Sequence, residues 1–101
     1  MKERDTQKAI LDYLAATGVL AFRMNTGAVK LDERFMRFGV PGMADILAFC
    51  DRCHRIVPLW IECKSATGRQ SELQRSFQSQ VERHGHGYIL ARSLDDVINA
   101  L

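Results

Sequence analysis

Apolar residues recur along this chain at two periods, and each change of period marks an element. Between residues 3 and 17, Ile10, Leu11 and Leu14 fall at helical spacing without a proline, and Thr17-Gly18 supplies a stop. Glu3, Gln7, Ile10 and Leu14 follow a 4-3-4 spacing, so the pattern predicts one stripe in which Glu3 and Gln7 extend the buried face. Val19 to Met24 reads as a short strand closed by the turn Asn25-Thr26-Gly27. The stretch from Ala28 to Gly42 is the least regular, with Gly39, Pro41 and Gly42 breaking any element. Within it, Phe35, Met36 and Phe38 either pack on the core or form a partner surface.

Two further strands are expected at Asp45–Cys50 and Arg55–Lys64, joined as an antiparallel hairpin by Asp51-Arg52-Cys53-His54. A helix from Ser71 to about Gly85 carries the stripe Leu73, Phe77 and Val81. Tyr88 to Ala91 reads as another core strand, and Ser93-Leu94-Asp95-Asp96 opens a final short helix. The expected order is αβββαβα, an α/β domain around a mixed sheet. With 101 residues, 47% hydrophobic and 26% charged, the chain is expected to fold as one globular domain, 1–101, without an appended recognition module. No apolar run approaches the roughly 20 residues of a membrane span. The charged start MKERDTQK is unlike a signal peptide, so a cytoplasmic location is expected.

One strand carries an anomaly. The apolar run Ile56-Val57-Pro58-Leu59-Trp60-Ile61 ends in Glu62-Cys63-Lys64, and strand alternation puts both charges on one face. Burying such charges is costly unless something uses them. In an antiparallel hairpin the start of one strand neighbours the end of the next, so Asp45 and Glu62 are expected at one sheet edge, with Lys64 beyond them. Two converging carboxylates suit a hard divalent cation such as Mg²⁺, and a lysine beside them suits phosphodiester hydrolysis. A structural Glu62–Lys64 or Asp45–Lys64 ion pair would account for the same residues.

Other features are weaker. The formal net charge is only +2, so a polyanionic partner requires local clustering. Arg23, Lys30, Arg34 and Arg37 form one cluster, interrupted only by Asp32 and Glu33; on charge alone a solvated loop is the preferred reading. The three cysteines, Cys50, Cys53 and Cys63, argue against a disulfide scaffold. Cys50-Asp-Arg-Cys53-His54 matches a haem-attachment pattern and half of a zinc knuckle, but zinc needs about four ligands and a second nearby pair is lacking. A thiol-bearing turn is the plainer reading. His84 and His86 read as structural, and Trp60 and Tyr88 as core. Asp95 and Asp96 suit the positive end of the last helix.

Asp45, then sixteen residues, then Glu62-Cys63-Lys64 resembles the D…E-x-K signature of the PD-(D/E)XK nuclease superfamily. More narrowly, the chain resembles a stand-alone VRR-NUC domain. The matching pieces are Arg23-Met24-Asn25-Thr26-Gly27-Ala28, Arg37-Phe38-Gly39-Val40-Pro41-Gly42-Met43-Ala44-Asp45 and Ile61-Glu62-Cys63-Lys64. They continue through Gly68-Arg69-Gln70-Ser71-Glu72-Leu73-Gln74 and Tyr88-Ile89-Leu90-Ala91-Arg92-Ser93-Leu94-Asp95-Asp96, in the family's order and over nearly the whole chain. The first acid follows Pro-Gly-Met-Ala rather than proline directly.

The resemblance implies a restriction-endonuclease-like core binding Mg²⁺ or Mn²⁺. Asp45, Glu62, the Cys63 backbone carbonyl and Glu3 would hold the metal, and Lys64 would serve the attacking water. Gln74 would face the active site, though Ser71-Glu72-Leu73-Gln74 is also a capping box in which Gln74 bonds back to Ser71. Arg23, Asn25, Lys30, Arg34, Arg37, Arg69 and Gln70 are the expected DNA contacts. The expected activity is structure-selective cleavage of branched DNA, in the manner of a four-way junction resolvase working as a homodimer. Cleavage of flaps or single strands is the nearest alternative, and a non-catalytic nucleic-acid-binding module of the same fold is the rival from another class.

Overall fold

A computed structural model describes residues 2–24, 27–31, 34–38, 40–52 and 55–101, with the backbone alone described for 27–31, 34–38 and 52. Helix α1 spans Glu3–Ala16 and strand β1 Leu20–Arg23. Strands β2 (Gly27–Leu31) and β3 (Arg34–Phe38) follow, then β4 (Ile46–Arg52) and β5 (Arg55–Cys63). Helix α2 spans Glu72–Arg83, strand β6 Gly87–Ala91 and helix α3 Leu94–Ala100. The main sheet is mixed, in the order β1-β4-β5-β6, with the first two pairings antiparallel and β5–β6 parallel. The protein is therefore a mixed α/β fold. No helix among the described residues is long and apolar enough to cross a membrane.

Alternation along the hairpin creates the core. Ile46, Ala48 and Cys50 on β4, and Leu59, Ile61 and Cys63 on β5, point to one face, where Ile10 and Leu14 of α1 and Val97 of α3 cover them. Each fully buried Ile, Leu or Val here contributes roughly 1.5–3 kcal/mol. α1 ends as its sequence directs. Thr17 Oγ1 donates to the Tyr13 carbonyl at 2.9 Å, and Gly18 takes a φ of +77° that releases the chain into β1. The opposite face of β5 meets α2, where Trp60 and Phe77 pack edge to face with ring centroids 4.9 Å apart. The Trp60 indole N–H donates to His86 Nδ1 at 3.0 Å.

Three expectations are corrected. The stretch expected to be least regular holds an antiparallel ribbon, β2–β3, with Val29 opposite Met36. Its charges interrupt the apolar alternation, which hides the period of two. The buried stripe of α1 is Thr6, Ile10 and Leu14; Glu3 is exposed and Gln7 only half-buried. On α2, Phe77 is buried but Leu73 is 59% exposed, because in the first turn it is Gln74, not Leu73, that faces the sheet and bonds Glu62. Element bounds otherwise move by a residue or two, and Asp45 precedes its strand rather than opening it.

Candidate functional site

Asp45 follows a turn in which Met43 N–H donates to the Val40 carbonyl at 2.9 Å. Gly42 adopts a φ of +84°, and a methyl group there would stand 2.3 Å from the Leu73 carbonyl oxygen and 2.9 Å from Gln74 N. Only glycine permits both the left-handed conformation and this approach to α2. The Asp45 carbonyl accepts from Met24 N at 2.7 Å, and its Oδ2 accepts from Cys63 N–H at 2.8 Å. Because Ile46 pairs with Ile61, continuing the register by one residue places Asp45 opposite Glu62.

Glu62 is 1% exposed. Its Oε2 accepts from Gln74 Nε2 at 2.9 Å and lies 3.4 Å from Lys64 Nζ. Its Oε1 is buried and has no hydrogen-bond partner among the described residues. The Lys64 side chain is 12% exposed. Although Glu3 is exposed, its carboxylate reaches this sheet end: one oxygen each from Glu3, Asp45 and Glu62 lie within 4.8 Å of one another. Lys64 N–H donates to Ala91 on the β6 side while Cys63 N–H faces Asp45. Since a strand residue directs N–H and C=O to the same side, the Cys63 carbonyl also faces the Asp45 side.

The electrostatics follow from this crowding. Burial, then repulsion from Asp45, pushes the Glu62 carboxyl up to about 7; Lys64 opposes the rise and Glu3 adds to it. Burial likewise raises the Asp45 carboxyl, against the Cys63 N–H bond and the charges of Lys64 and Arg23. The Cys63 thiol is pushed up to about 12 by burial and the three acids, so it stays protonated within the core.

The two expected roles of Gln74 turn out to be compatible. Its Oε1 accepts from Ser71 N–H at 2.9 Å, and its backbone N–H donates to Ser71 Oγ at 3.1 Å, completing the capping box. Its Nε2 remains for Glu62. Gln70, expected either to reach DNA or to be solvated, donates from Nε2 to Gln78 Oε1 at 2.9 Å and to the Tyr88 hydroxyl at 3.0 Å. Burial pushes that hydroxyl up to about 12. Arg23 and Arg69 are exposed. Asn25 lies outside the described residues, as do the side chains of Lys30, Arg34 and Arg37. Cys50 is buried, whereas Cys53 and His54 also lie outside the described residues. Asp96, expected to act only at the helix end, accepts from Arg92 N–H at 2.8 Å.

Sequence reasoning gave no role to Gly42 beyond a bend, nor any to Arg92, whose guanidinium holds the turn after Lys64. Both act through backbone contacts distant in sequence, which no local spacing encodes. In comparisons with known proteins, no family model, curated protein or solved structure matches this chain.

Proposed function

We propose that this domain is a Mg²⁺- or Mn²⁺-dependent DNA endonuclease with a PD-(D/E)XK core of the VRR-NUC type. It would act on branched DNA as a homodimer. The observation that carries this reading is the convergence of Glu3, Asp45 and Glu62 within 4.8 Å, beside Lys64. The donor set suits a hard divalent cation: the three acids offer oxygen, and the protonated Cys63 thiol is not a competing soft ligand. A buried carboxylate oxygen without a hydrogen bond is costly, and Glu62 Oε1 is such an atom. Asp45, Glu62, Glu3 and the Cys63 carbonyl would hold the ion.

The ion would supply neutralisation of charge developing on the phosphoryl oxygens. The chain's own groups would do the rest. Gln74 holds Glu62 Oε2 in place, and Asp45 is fixed by the Cys63 N–H. The Lys64 ammonium would orient a water molecule for in-line attack on phosphorus and stabilise the charge that develops. Forming the bond from water oxygen to phosphorus breaks the bond to the 3′ oxygen; the water gives up a proton to solvent and the departing oxygen takes one from solvent, leaving a 5′-phosphate and a 3′-hydroxyl. Paired cuts across a branched substrate need two such sites, which a two-fold dimer supplies.

The test is cleavage of a labelled panel of linear duplex, single strand, flap, splayed arm and four-way junction. Each is incubated with Mg²⁺, Mn²⁺ or EDTA, using wild type and Lys64→Ala. Metal-dependent cuts near the branch point, lost in the variant, are expected. Cuts confined to flaps or single strands would keep the chemistry and redirect the substrate. Junction binding without any cleavage would make the domain a binding module and overturn the enzymatic reading.

A further inference from the structure

We propose that Arg92 is a positioning residue for Lys64, acting through the turn that packs along the lysine stem; its place in catalysis rests on the nuclease reading above. Arg92 Nη1 donates to the carbonyls of Ser65 and Gly68, at 2.6 and 2.7 Å. That turn is closed from within, since Gly68 N–H donates to Ser65 Oγ at 3.0 Å and to the Ser65 carbonyl at 3.3 Å. It lies against Lys64: a methyl group added at Gly68 would stand 3.5 Å from Lys64 Cδ and 3.1 Å from Ser65 Oγ.

The placement follows from the sheet. Cys63 pairs with Ala91 in the parallel β5–β6 ladder, so the next residues on each strand, Lys64 and Arg92, emerge side by side. Lys64 is tied at its backbone by the bond to the Ala91 carbonyl, 2.9 Å, and Arg92 by the bond from its N–H to Asp96. Two cations thus leave the sheet together. The Ser65 and Gly68 carbonyls take one of them, leaving the other to meet Glu62.

An unrestrained lysine carries a compact charge on a flexible four-carbon stem. Here the turn lies beside the stem, close enough that a methyl group at Gly68 would touch Lys64 Cδ, and the ammonium stands 3.4 Å from Glu62 Oε2. A permanently charged guanidinium with several donors can hold two carbonyls three residues apart; a lysine at this position has the charge without the planar fork. Among the described residues, Arg92 bonds to none of Glu3, Asp45 and Glu62; it acts on the site through the 65–68 turn.

The experiment compares wild type with Arg92→Gln and Arg92→Lys in two arms. In the first, the metal-free protein is briefly acetylated with acetic anhydride and the modification rate of each lysine is read by mass spectrometry. Lys64 should react roughly fivefold or more faster in Arg92→Gln as the turn opens locally. Exposed Lys8 should keep its rate as the internal comparator. In the second arm, steady-state cleavage should lose roughly 10–100-fold in kcat from the displaced Lys64. KM and junction affinity in Ca²⁺ should hold, and Arg92→Lys should recover part of the loss.

An unchanged Lys64 rate in a variant that keeps its wild-type melting temperature overturns the inference. So does a loss confined to KM or affinity, which would make Arg92 a DNA contact. If Arg92→Gln fails to fold, Arg92→Lys carries both arms. A wild type that cuts no DNA sinks the nuclease reading alone, because the acetylation arm still decides whether Arg92 positions Lys64.

Discussion

Glu62 gathers the opposing demands of this fold into one side chain. Its folded carboxyl titrates near 7, above the ordinary glutamate value of 4.5, because burial and Asp45 disfavour its charge. The native state therefore holds a proton that the unfolded chain releases. The associated stability is present below pH 4.5 and is lost as pH rises through about 7. In EDTA, the melting temperature should fall between pH 5 and pH 8, by a stability change on the order of 2–3 kcal/mol. Glu62→Gln should flatten the slope, and saturating Mn²⁺ should reduce it in wild type by favouring the ionised form. A second prediction separates the helix cap from the Gln74 amide. Ser71→Ala removes the hydroxyl that accepts from Gln74 N–H and should cost about 1 kcal/mol, while both ends of the Gln74 amide keep their bonds to Ser71 N–H and Glu62. Gln74→Leu keeps the backbone bond to Ser71 Oγ but removes both amide bonds, so it should lower kcat in a way that Ser71→Ala does not share; urea titrations and cleavage kinetics check this. The positions of Asp45, Glu62 and Lys64 were legible in the sequence, since strand alternation and hairpin pairing suffice to place them. The Gln74 alternatives were each legible, but their coexistence was not, because it depends on where the donor and acceptor ends of one amide point.

At the scale of elements, α2 meets the hairpin through the Trp60–Phe77 and Glu62–Gln74 side chains, and the turn before β4 meets it backbone to backbone at Gly42. Gly42 approaches α2 so closely that any Cβ would strike the Leu73 carbonyl. Gly42→Ala should therefore cost at least about 2 kcal/mol, from the left-handed backbone and from displacement of the helix start. Because the same helix turn carries Gln74, cleavage should fall more steeply than global stability does, which parallel unfolding and kinetic measurements would reveal. The period-two and period-3.6 patterns recovered α1, β1, β4, β5, α2, β6 and α3 to within a residue or two. They missed the β2–β3 ribbon, where Lys30, Arg34 and Arg37 break the apolar alternation that would have marked its strands. They also misplaced Leu73, since an apolar stripe did not reveal that polar Gln74 takes the sheet-facing position in the first turn.

Over the whole molecule, a formal charge of +2 coexists with a cluster of three acids. A divalent cation that binds the folded cluster, and not the unfolded chain, must raise the melting temperature as its concentration exceeds the dissociation constant. Mn²⁺ should stabilise wild type in a concentration-dependent way, and Asp45→Asn should lose most of that response. An equal response in the variant would show that the ion binds elsewhere. The proposed homodimer should appear as a doubled mass in light scattering at micromolar protein; a monomer with full junction-cleaving activity would sink it. The packing around Trp60 has an optical consequence. It is the chain's single tryptophan, two residues before Glu62 on the same strand face, and it touches Phe77 of the helix that carries Gln74. Its emission therefore reports the docking of α2 directly, so loosening of the helix beside the acids can be followed in the unlabelled protein, separately from loss of the α1-covered core.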